Sequence, residues 1–194
     1  MSVRTPFVTF VSRNPGKVPE VRAALRPYGL RVRWKRKEFT EPQAPRLEDV
    51  VRAKLRSVEG VPGYVLVEDS GLFIPSLNGF PGVYSSHFLE TWGFGPMLEL
   101  LRRRPRAAYF RAVAGLRKGR NVWVFAGEVH GTIARRPVGR HGFGYDPIFI
   151  PEGWDRTFGQ VPPERKDAIS HRARAMKQVG EFLGRTLASA PVRS

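Results

Sequence analysis

Apolar residues along this chain are spaced in two ways, one typical of short buried strands and the other of helices with one apolar face. The run Phe7–Val11 is apolar except for one threonine and predicts a first strand. Apolar residues then recur at helical spacing through residues 17–28, and Gly29 is a typical helix end. A second strand is predicted over residues 30–35. The chain therefore begins as strand, helix, strand.

The same alternation continues through the middle of the chain. Apolar residues between positions 47 and 58 fall on one helical face, and residues 64–67 form an apolar run of strand length. A further helix is predicted near residues 97–101, with Pro105 as the point that it cannot pass.

The last third of the chain predicts a hairpin and a long helix. Strands are predicted over residues 107–116 and 121–134, with a hairpin loop between them. The final helix is predicted from Ser170, whose hydroxyl suits an N-cap, to about residue 187. This order of elements predicts an α/β fold with a mixed sheet.

Composition narrows the class of protein by exclusion. The 194 residues suit one domain, and a hydrophobic content of 41% is enough to form a core. No run approaches the roughly 18 apolar residues of a membrane span, and residues 1–6 lack the apolar stretch of a secretory signal. Cysteine is absent, which excludes disulfides, thiolate metal sites and a cysteine nucleophile. We therefore expect a cytoplasmic protein without a membrane partner.

The formal net charge of +16 comes mostly from arginine. Such a charge concentrates anions near the surface, whether they are nucleic acids, membranes or small polyphosphates. The arginines lie in separate segments without a recognised nucleic-acid-binding motif, and an arginine-rich coding bias explains them equally well. A nucleic-acid-binding protein stays open at this point, and it predicts salt-sensitive binding to DNA or RNA.

The loop between the first predicted strand and helix is Ser12-Arg13-Asn14-Pro15-Gly16-Lys17. A loop in this place can direct backbone N–H groups and a helix N-terminus at an anion, and Lys17 adds a positive charge. The glycine pattern of a Walker loop is absent. An ordinary strand-to-helix turn is an equally good interpretation of this segment alone.

Two adjacent carboxylates, Glu68 and Asp69, follow the predicted strand at 64–67. Because neighbouring side chains on a strand point to opposite faces, we expect only one of them to face a given site. We choose Asp69, since the apolar valines of the strand share its face. Without cysteine or a His-x-x-x-His pair, a metal here would be a hard ion bound by oxygen. Glu41 is a candidate second ligand, although a solvated loop glutamate explains it better from the sequence alone.

Two later segments have side chains that suit a nucleotide base. The first is Phe143-Gly144-Tyr145-Asp146-Pro147. Its aromatic rings beside glycine suit stacking, although a buried strand start explains them equally well. The second places Lys166, His171 and Arg172 around the start of the last predicted helix. Cations there oppose the helix dipole, so they indicate an anionic or acceptor-rich ligand.

Taken together, these segments resemble the inosine triphosphate pyrophosphatase family, which removes non-standard purine nucleoside triphosphates. The motifs that carry the resemblance are Ser12-x-Asn14-x-x-Lys17, Glu68-Asp69-Ser70-Gly71-Leu72, Phe80-Pro81-Gly82-Val83-Tyr84-Ser85, Phe143-Gly144-Tyr145-Asp146-Pro147 and Ser170-His171-Arg172. They follow the family's order from about residue 7 to residue 185 and are most similar to archaeal members. The resemblance implies one two-lobed domain over residues 1–194, an elongated mixed sheet with flanking helices around a nucleotide-binding cleft, and a homodimer.

The resemblance also implies roles for individual residues. Asp69 would be the catalytic acidic residue and would bind Mg²⁺ together with Glu41. The loop at 12–17 would hold the triphosphate, Lys54 on the second helix would contact a phosphate, and Ser70 would contact the substrate. The residues implied for the base pocket are Phe143, Gly144, Tyr145, Asp146, Lys166, His171 and Arg172.

The implied reaction is Mg²⁺-dependent hydrolysis of ITP, dITP or XTP to the nucleoside monophosphate and pyrophosphate, with no specific nucleic-acid partner. Inosine and xanthine present an acceptor oxygen at position 6, where adenine presents an amino group. Donors from Arg172, His171 or backbone amides would pair with that oxygen and remain unpaired against adenine. A related pyrophosphatase that acts on pyrimidine or modified bases is the remaining enzyme alternative.

Overall fold

The computed structural model describes residues 7–40 and 42–188 of the chain. Through these residues runs a six-stranded sheet with the strand order β2-β1-β3-β4-β5-β6. The strands are β1 (Phe7–Val11), β2 (Arg31–Lys35), β3 (Tyr64–Phe73), β4 (Ala107–Lys118), β5 (Asn121–Ile133) and β6 (Phe149–Pro151). β1 is parallel to both of its neighbours, whereas the pairs from β3 to β6 are antiparallel. The predicted α/β class with a mixed sheet is confirmed.

Helices cover both faces of the sheet. Those in the described part of the chain are α1 (Lys17–Leu25), α2 (Leu47–Arg56), α3 (Ser85–Trp92), α4 (Gly95–Leu100), α5 (Pro163–Asp167) and α6 (His171–Ala188). Apolar residues of α1 and α6 pack against one face, and those of α2 pack against the other. On β3, Leu66 belongs to the first cluster and Val65 and Val67 to the second, as alternating side chains require. None of these helices is both long and apolar enough to span a membrane.

A third apolar cluster lies at the far end of the sheet, where β3 ends and β4 begins. It includes Leu72, Phe110 and Phe149 from the strands and Met97 from α4. The core thus consists of two clusters on the faces at one end and a further cluster at the other end. The division of residues 1–194 into two lobes of one domain stays a prediction.

The predicted ends of two helices are found in the structure. α1 passes into a short 3₁₀ turn, Arg26–Tyr28, and the chain then turns at Gly29, whose φ of 66° is in the left-handed region that favours glycine. Ser170 caps α6, since its hydroxyl accepts a hydrogen bond of 3.1 Å from the backbone N–H of Ala173.

The sequence pattern missed α3, α5 and β6. α5 has five residues and β6 has three, which is too short for a periodic pattern to be visible. α3 has only three apolar residues, of which Phe88 and Leu89 are partly buried against the third cluster and Trp92 is exposed, so its sequence pattern is weak.

β3 is also longer than expected and extends to Phe73, because β4 pairs with it along nearly its whole length. Residues 68–71 therefore lie within a strand instead of a turn. Gly71 is needed in this strand for close packing, because a Cβ at this position would lie 2.2 Å from the carbonyl oxygen of Gly82. The glycine allows the segment around Gly82 to pass close to β3.

Candidate functional site

The main cleft opens where β1 stops at Val11 while its neighbour β3 continues, since the pairing of these strands ends at Phe10 opposite Leu66. The carboxyl ends of parallel strands are a common place for ligand sites in α/β folds. The cleft is lined by fourteen of the predicted site residues, which are Ser12, Arg13, Asn14, Lys17, Lys54, Asp69, Ser70, Phe143, Gly144, Tyr145, Asp146, Lys166, His171 and Arg172. Pro15 and Gly16 belong to the same loop but do not line the cleft. Glu41 lies outside the described residues.

The loop after β1 is held by its own polar side chains. The hydroxyl of Ser12 accepts a hydrogen bond of 3.1 Å from the backbone N–H of Asn14, and the Asn14 side chain accepts one of 2.9 Å from the N–H of Gly16. The indole of Trp34 donates to the carbonyl oxygen of Ser12 at 3.0 Å. These contacts fix the loop so that α1 begins with Lys17 at the cleft.

Glu68 is a fully buried carboxylate in the cleft, and its two oxygens bind two cations. Lys17 Nζ lies 2.6 Å from Oε2, and Arg172 Nε lies 3.2 Å from Oε1. The expectation that only one of the two adjacent carboxylates faces the site is therefore wrong, because both Glu68 and Asp69 line the cleft. The reason is that β1 is absent at this level, so side chains on both faces of β3 reach the cleft around its free edge.

Asp69 lies on the opposite face of β3, the face covered by α2. Its Oδ1 is 3.0 Å from Nζ of Lys54, and both side chains are largely buried. Lys54, which the resemblance implied as a phosphate contact, thus lies beside the acidic residue expected to be catalytic.

A continuous set of largely buried ion pairs connects this region to the base-binding segments. We call this set the charge ladder, and its members are Lys17, Glu20, Glu68, Asp146, Lys166 and Arg172. Arg172 contacts Glu68 and Glu20 and donates a hydrogen bond of 3.1 Å to the hydroxyl of Ser70. Lys166 Nζ lies 2.9 Å from Glu20 Oε1 and 2.6 Å from Asp146 Oδ2. Because each carboxylate contacts at least one cation, the ladder compensates charges that would be costly to bury alone.

The pKa values of the ladder follow from burial and from these contacts. Burial alone would raise the pKa of Glu68, but the charges of Arg172 and Lys17 lower it to about 2. Burial opposes the ionisation of Glu20 as well, yet Arg172 and Lys166 hold its pKa below the ordinary value. For Asp146 burial prevails, and its pKa is raised in spite of Lys166. Glu68 and Glu20 are consequently ionised at neutral pH.

The far end of the cleft contains the aromatic residues. The ring of Phe143 has Lys166 Nζ at 4.7 Å and the guanidinium carbon of Arg172 at 5.5 Å from its centroid. His171 stacks on Phe110, with ring centroids 4.6 Å apart. Burial, together with the charge of Arg172, lowers the pKa of His171 well below its usual value, so the imidazole is neutral. Its buried Nδ1 has no hydrogen-bond partner among the described residues.

The side chains of two predicted pocket residues, Tyr145 and Asp146, form hydrogen bonds to the backbone around the pocket. The hydroxyl of Tyr145 donates to the carbonyl oxygen of Ser85 at 2.9 Å. Asp146 Oδ2 accepts a hydrogen bond of 2.8 Å from the backbone N–H of Phe143, in addition to its contact with Lys166. These bonds fix the backbone that carries Phe143.

A glycine on β5 determines how close α6 comes to the cleft. A Cβ on Gly127 would lie 2.3 Å from the carbonyl oxygen of His171 and 2.5 Å from the amide nitrogen of Ala175. Any larger residue at this position would push the first turn of α6 away from the sheet. Gly127 therefore allows His171 and Arg172 to reach the ladder.

The carboxylates of the cleft determine what metal could bind there. Within residues 7–40 and 42–188 no group of three or more histidine, cysteine, aspartate or glutamate side chains forms a metal cluster. Glu68 is bound to two cations, whereas Asp69 forms an ion pair with Lys54 through Oδ1, and its carboxylate also lines the cleft. Mg²⁺ commonly binds one or two carboxylates and completes its shell with water and substrate phosphates. This donor set fits such an ion.

Comparison with known proteins identifies the family of this chain. A sequence model of the Ham1 family matches residues 8–182. The chain belongs to the Ham1 family. It is 44% identical over 178 residues to the dITP/XTP pyrophosphatase of Pyrococcus horikoshii, with 91% of this chain and 96% of that protein covered. It is 42% identical to the dITP/XTP pyrophosphatase of Thermococcus kodakarensis, with 93% and 98% covered.

Solved structures of Ham1 proteins have the same fold. The Ham1 protein of Staphylococcus aureus superimposes with a TM-score of 0.79 at 27% identity, covering 93% of this chain and 99% of that one. A HAM1 protein from Coxiella burnetii gives the same TM-score at 29% identity, with the same coverage. The resemblance found in the sequence motifs is thereby confirmed at the level of the family.

The sequence did not indicate Glu20 as part of this Ham1 site, and of the adjacent carboxylates Glu68 and Asp69 it favoured Asp69. Glu20 lies on α1, and its sequence context is typical of a solvated helix residue. Its partners Lys166 and Arg172 are 146 and 152 positions away along the chain, so no local pattern connects them. Its only local sign is that it falls one helical turn after Lys17. Glu68 was set aside because strand alternation favoured Asp69.

Proposed function

We propose that this Ham1 family member hydrolyses non-standard purine nucleoside triphosphates, namely ITP, dITP and XTP, to the monophosphate and pyrophosphate. The observation that carries the proposal is that Glu68 binds Lys17 of the loop and Arg172 of the base-binding segment, which places both in one cleft. A single bound nucleotide can therefore contact both segments. The printed names of the curated relatives, dITP/XTP pyrophosphatase, support the same reaction.

At the phosphate end, the loop of residues 12–17 binds the triphosphate through those of its residues that line the cleft, with Lys17 as the charged contact. Lys54 and Lys17 compensate the charge that develops when the bond between the α- and β-phosphates breaks and a water oxygen bonds to phosphorus. Pyrophosphate leaves with the electrons of the broken bond. Asp69 is the acidic residue nearest to Lys54 in the cleft, and we assign to it metal binding, activation of the water or both.

We assign Mg²⁺ to Asp69 and to Glu41, the second ligand implied by the resemblance. When bound, the ion neutralises phosphate oxygens and orients them for in-line attack. The absence of thiolate ligands and the oxygen-only donor set favour a hard divalent ion over zinc or copper.

At the base end, Phe143 stacks on the purine and donors around it read the 6-oxygen. Within the part of the chain that the structure describes, the hydrogen bonds of Arg172 use Nε–H and one hydrogen on each terminal nitrogen, so two of its five N–H groups have no acceptor there. Lys166 has one N–H left after its contacts with Glu20 and Asp146. A neutral His171 adds an N–H donor or an acceptor according to its tautomer. Adenine would leave such donors unpaired in a buried site, which opposes its binding.

We further propose a cytoplasmic homodimer, consistent with a substrate that belongs to the nucleotide pool. Nucleic acid is not a required partner in this proposal, because the cleft supplies contacts for one base and its phosphates. The alternative of a pyrimidine nucleotide pyrophosphatase is less well supported, since the relatives carry purine names.

The test is pyrophosphate release with Mg²⁺ from the triphosphates of inosine, xanthine, adenine, guanine and cytosine, measured side by side. We expect strong release from the first two alone. Asp69→Asn should lower kcat by about 10²–10⁴-fold, the usual contribution of an acid or base group, while its melting temperature shows that it folds. Near-normal turnover by this variant would refute the assignment of Asp69, and release from none of the five nucleotides would refute the proposed function.

A further inference from the structure

A second cavity lies between α2 and the β4–β5 hairpin and shares no lining residue with the cleft. The helix side contributes Arg52 and Arg56, and the hairpin side contributes Arg117 and Arg120. We call this cavity the arginine groove after these four residues. Glu59 is the only acidic residue among the lining residues. The groove therefore has a strong excess of positive charge in a small space.

Arg117 is the buried member of the groove, with a relative exposure of 7%. Its terminal nitrogens donate to three backbone carbonyl oxygens: Gly119 at 3.2 Å, Val58 at 2.8 Å and Val61 at 3.1 Å. These acceptors are neutral, and Nε is buried without a hydrogen-bond partner among the described residues. Buried charges in proteins are normally paired with an opposite charge. Here the guanidinium is held in a fixed orientation without one.

The other three arginines have no structural task that the structure reveals. Arg52, Arg56 and Arg120 are exposed, and no carboxylate of residues 7–40 or 42–188 forms an ion pair with any of the four. The carbonyl contacts of Arg117 explain how the hairpin is fastened to the turn after α2. They do not explain why three more guanidinium groups converge on the same cavity.

We propose that the arginine groove binds a small polyphosphate anion, of which pyrophosphate is the simplest. Guanidinium groups match phosphate oxygens in a two-pronged geometry, and a ligand with two or more phosphoryl groups can contact several of them at once. Arg117 supplies a positive charge that its carbonyl contacts hold in a fixed orientation beside the groove, and the exposed arginines supply the guanidinium groups that contact the phosphoryl oxygens. The choice of pyrophosphate as ligand rests on the proposed function, which releases it, whereas the groove itself does not depend on that function.

The test is calorimetric titration of the full chain with sodium pyrophosphate at about 0.15 M salt, where weak surface attraction is screened. The variant Arg52→Gln with Arg56→Gln changes two exposed side chains of the groove. The matched control, Arg31→Gln with Arg103→Gln, removes the same charge at exposed positions outside both cavities. We expect one binding event to weaken at least tenfold in the groove variant and to persist in the control. Equal binding by all three proteins overturns the proposal.

A second readout reports on Arg117 directly. Its buried Nε–H gives an NMR signal that is assigned by its loss in Arg117→Lys. Pyrophosphate should shift this signal in the wild type and in the control but not in the groove variant. A labelled single-stranded oligonucleotide is titrated in the same way. If its binding depends on Arg52 and Arg56 while no pyrophosphate binding depends on them, the proposal is overturned and the groove is a nucleic-acid site. Turnover of ITP is measured separately, so failure of the proposed function and failure of the groove remain distinguishable.

Discussion

The charge ladder makes a strong prediction for Glu68→Gln. Glutamine keeps the size of the side chain and one acceptor oxygen but removes the negative charge between Lys17 and Arg172. Both cations are then left in the cleft with less compensation. We expect the folded protein to lose stability and the loop that carries Lys17 to lose its fixed position.

The size of the stability loss follows from the pKa. A carboxyl whose pKa falls from 4.5 to about 2 on folding stabilises the folded chain by about 3 kcal/mol at neutral pH. The loss of one partner from a buried ion pair usually costs about 3–5 kcal/mol, which agrees with this figure. Since the pKa is lowered in the folded state, the contribution is complete above pH 4.5 and disappears as the pH falls towards 2.

The assay is urea unfolding of the wild type and Glu68→Gln at several pH values between 3 and 8, followed by tryptophan fluorescence. The difference between the two proteins should be constant above about pH 5 and should shrink below it. Glu99→Gln is the control, because Glu99 forms an exposed pair with Arg102 and should cost less than about 1 kcal/mol. A difference below 1 kcal/mol at pH 7, or one that does not shrink in acid, would refute the role given to Glu68.

Two further predictions concern the base pocket and its border. Phe143→Ala should raise the KM for ITP about tenfold to hundredfold, because stacking on the base is lost. Inhibition by pyrophosphate, which has no base, should be unchanged. An unaltered KM for ITP would contradict the stacking role. Oδ1 of Asp167 is buried and has no hydrogen-bond partner in the described part of the chain, and burial raises the pKa of this carboxyl to about 6. Its charge is therefore unfavourable above that pH. Asp167→Asn should therefore raise the free energy of unfolding at pH 7.5, by at most about 1 kcal/mol after solvent screening. This stabilisation should vanish near pH 4. An equal stabilisation at both pH values would argue against ionisation of Asp167 as the cause.

Local patterns were sufficient for much of the fold. β1 was predicted with its observed bounds, and the chain turns at Gly29 after α1 because glycine alone adopts that φ without strain. α6 begins where the Ser170 cap indicated. α3 was missed because it is short and has only three apolar residues, one of which, Trp92, is exposed.

The candidate site was predictable where its residues lie in compact motifs and not where it depends on distant partners. The loop at 12–17 and Asp69 stand out locally, and the structure places them in one cleft. Glu20 could not be found in this way, since a helix glutamate becomes a buried ion only when α6 packs beside it. The alternation rule wrongly excluded Glu68 from the cleft, because it ignores the absence of a neighbouring strand.

The arrangement of α1 limits how substrate preference in this protein could change during evolution. Lys17 and Glu20 are one helical turn apart, and Lys17 contacts Glu68 on β3 whereas Glu20 contacts Lys166 and Arg172 of the base segment. A mutation that moves this turn to accommodate a different base would also displace the lysine that we propose to contact the phosphates. New specificities should therefore arise more readily through Phe143 and its loop than through α1. A mutational library directed at that loop would explore base preference while catalysis is preserved.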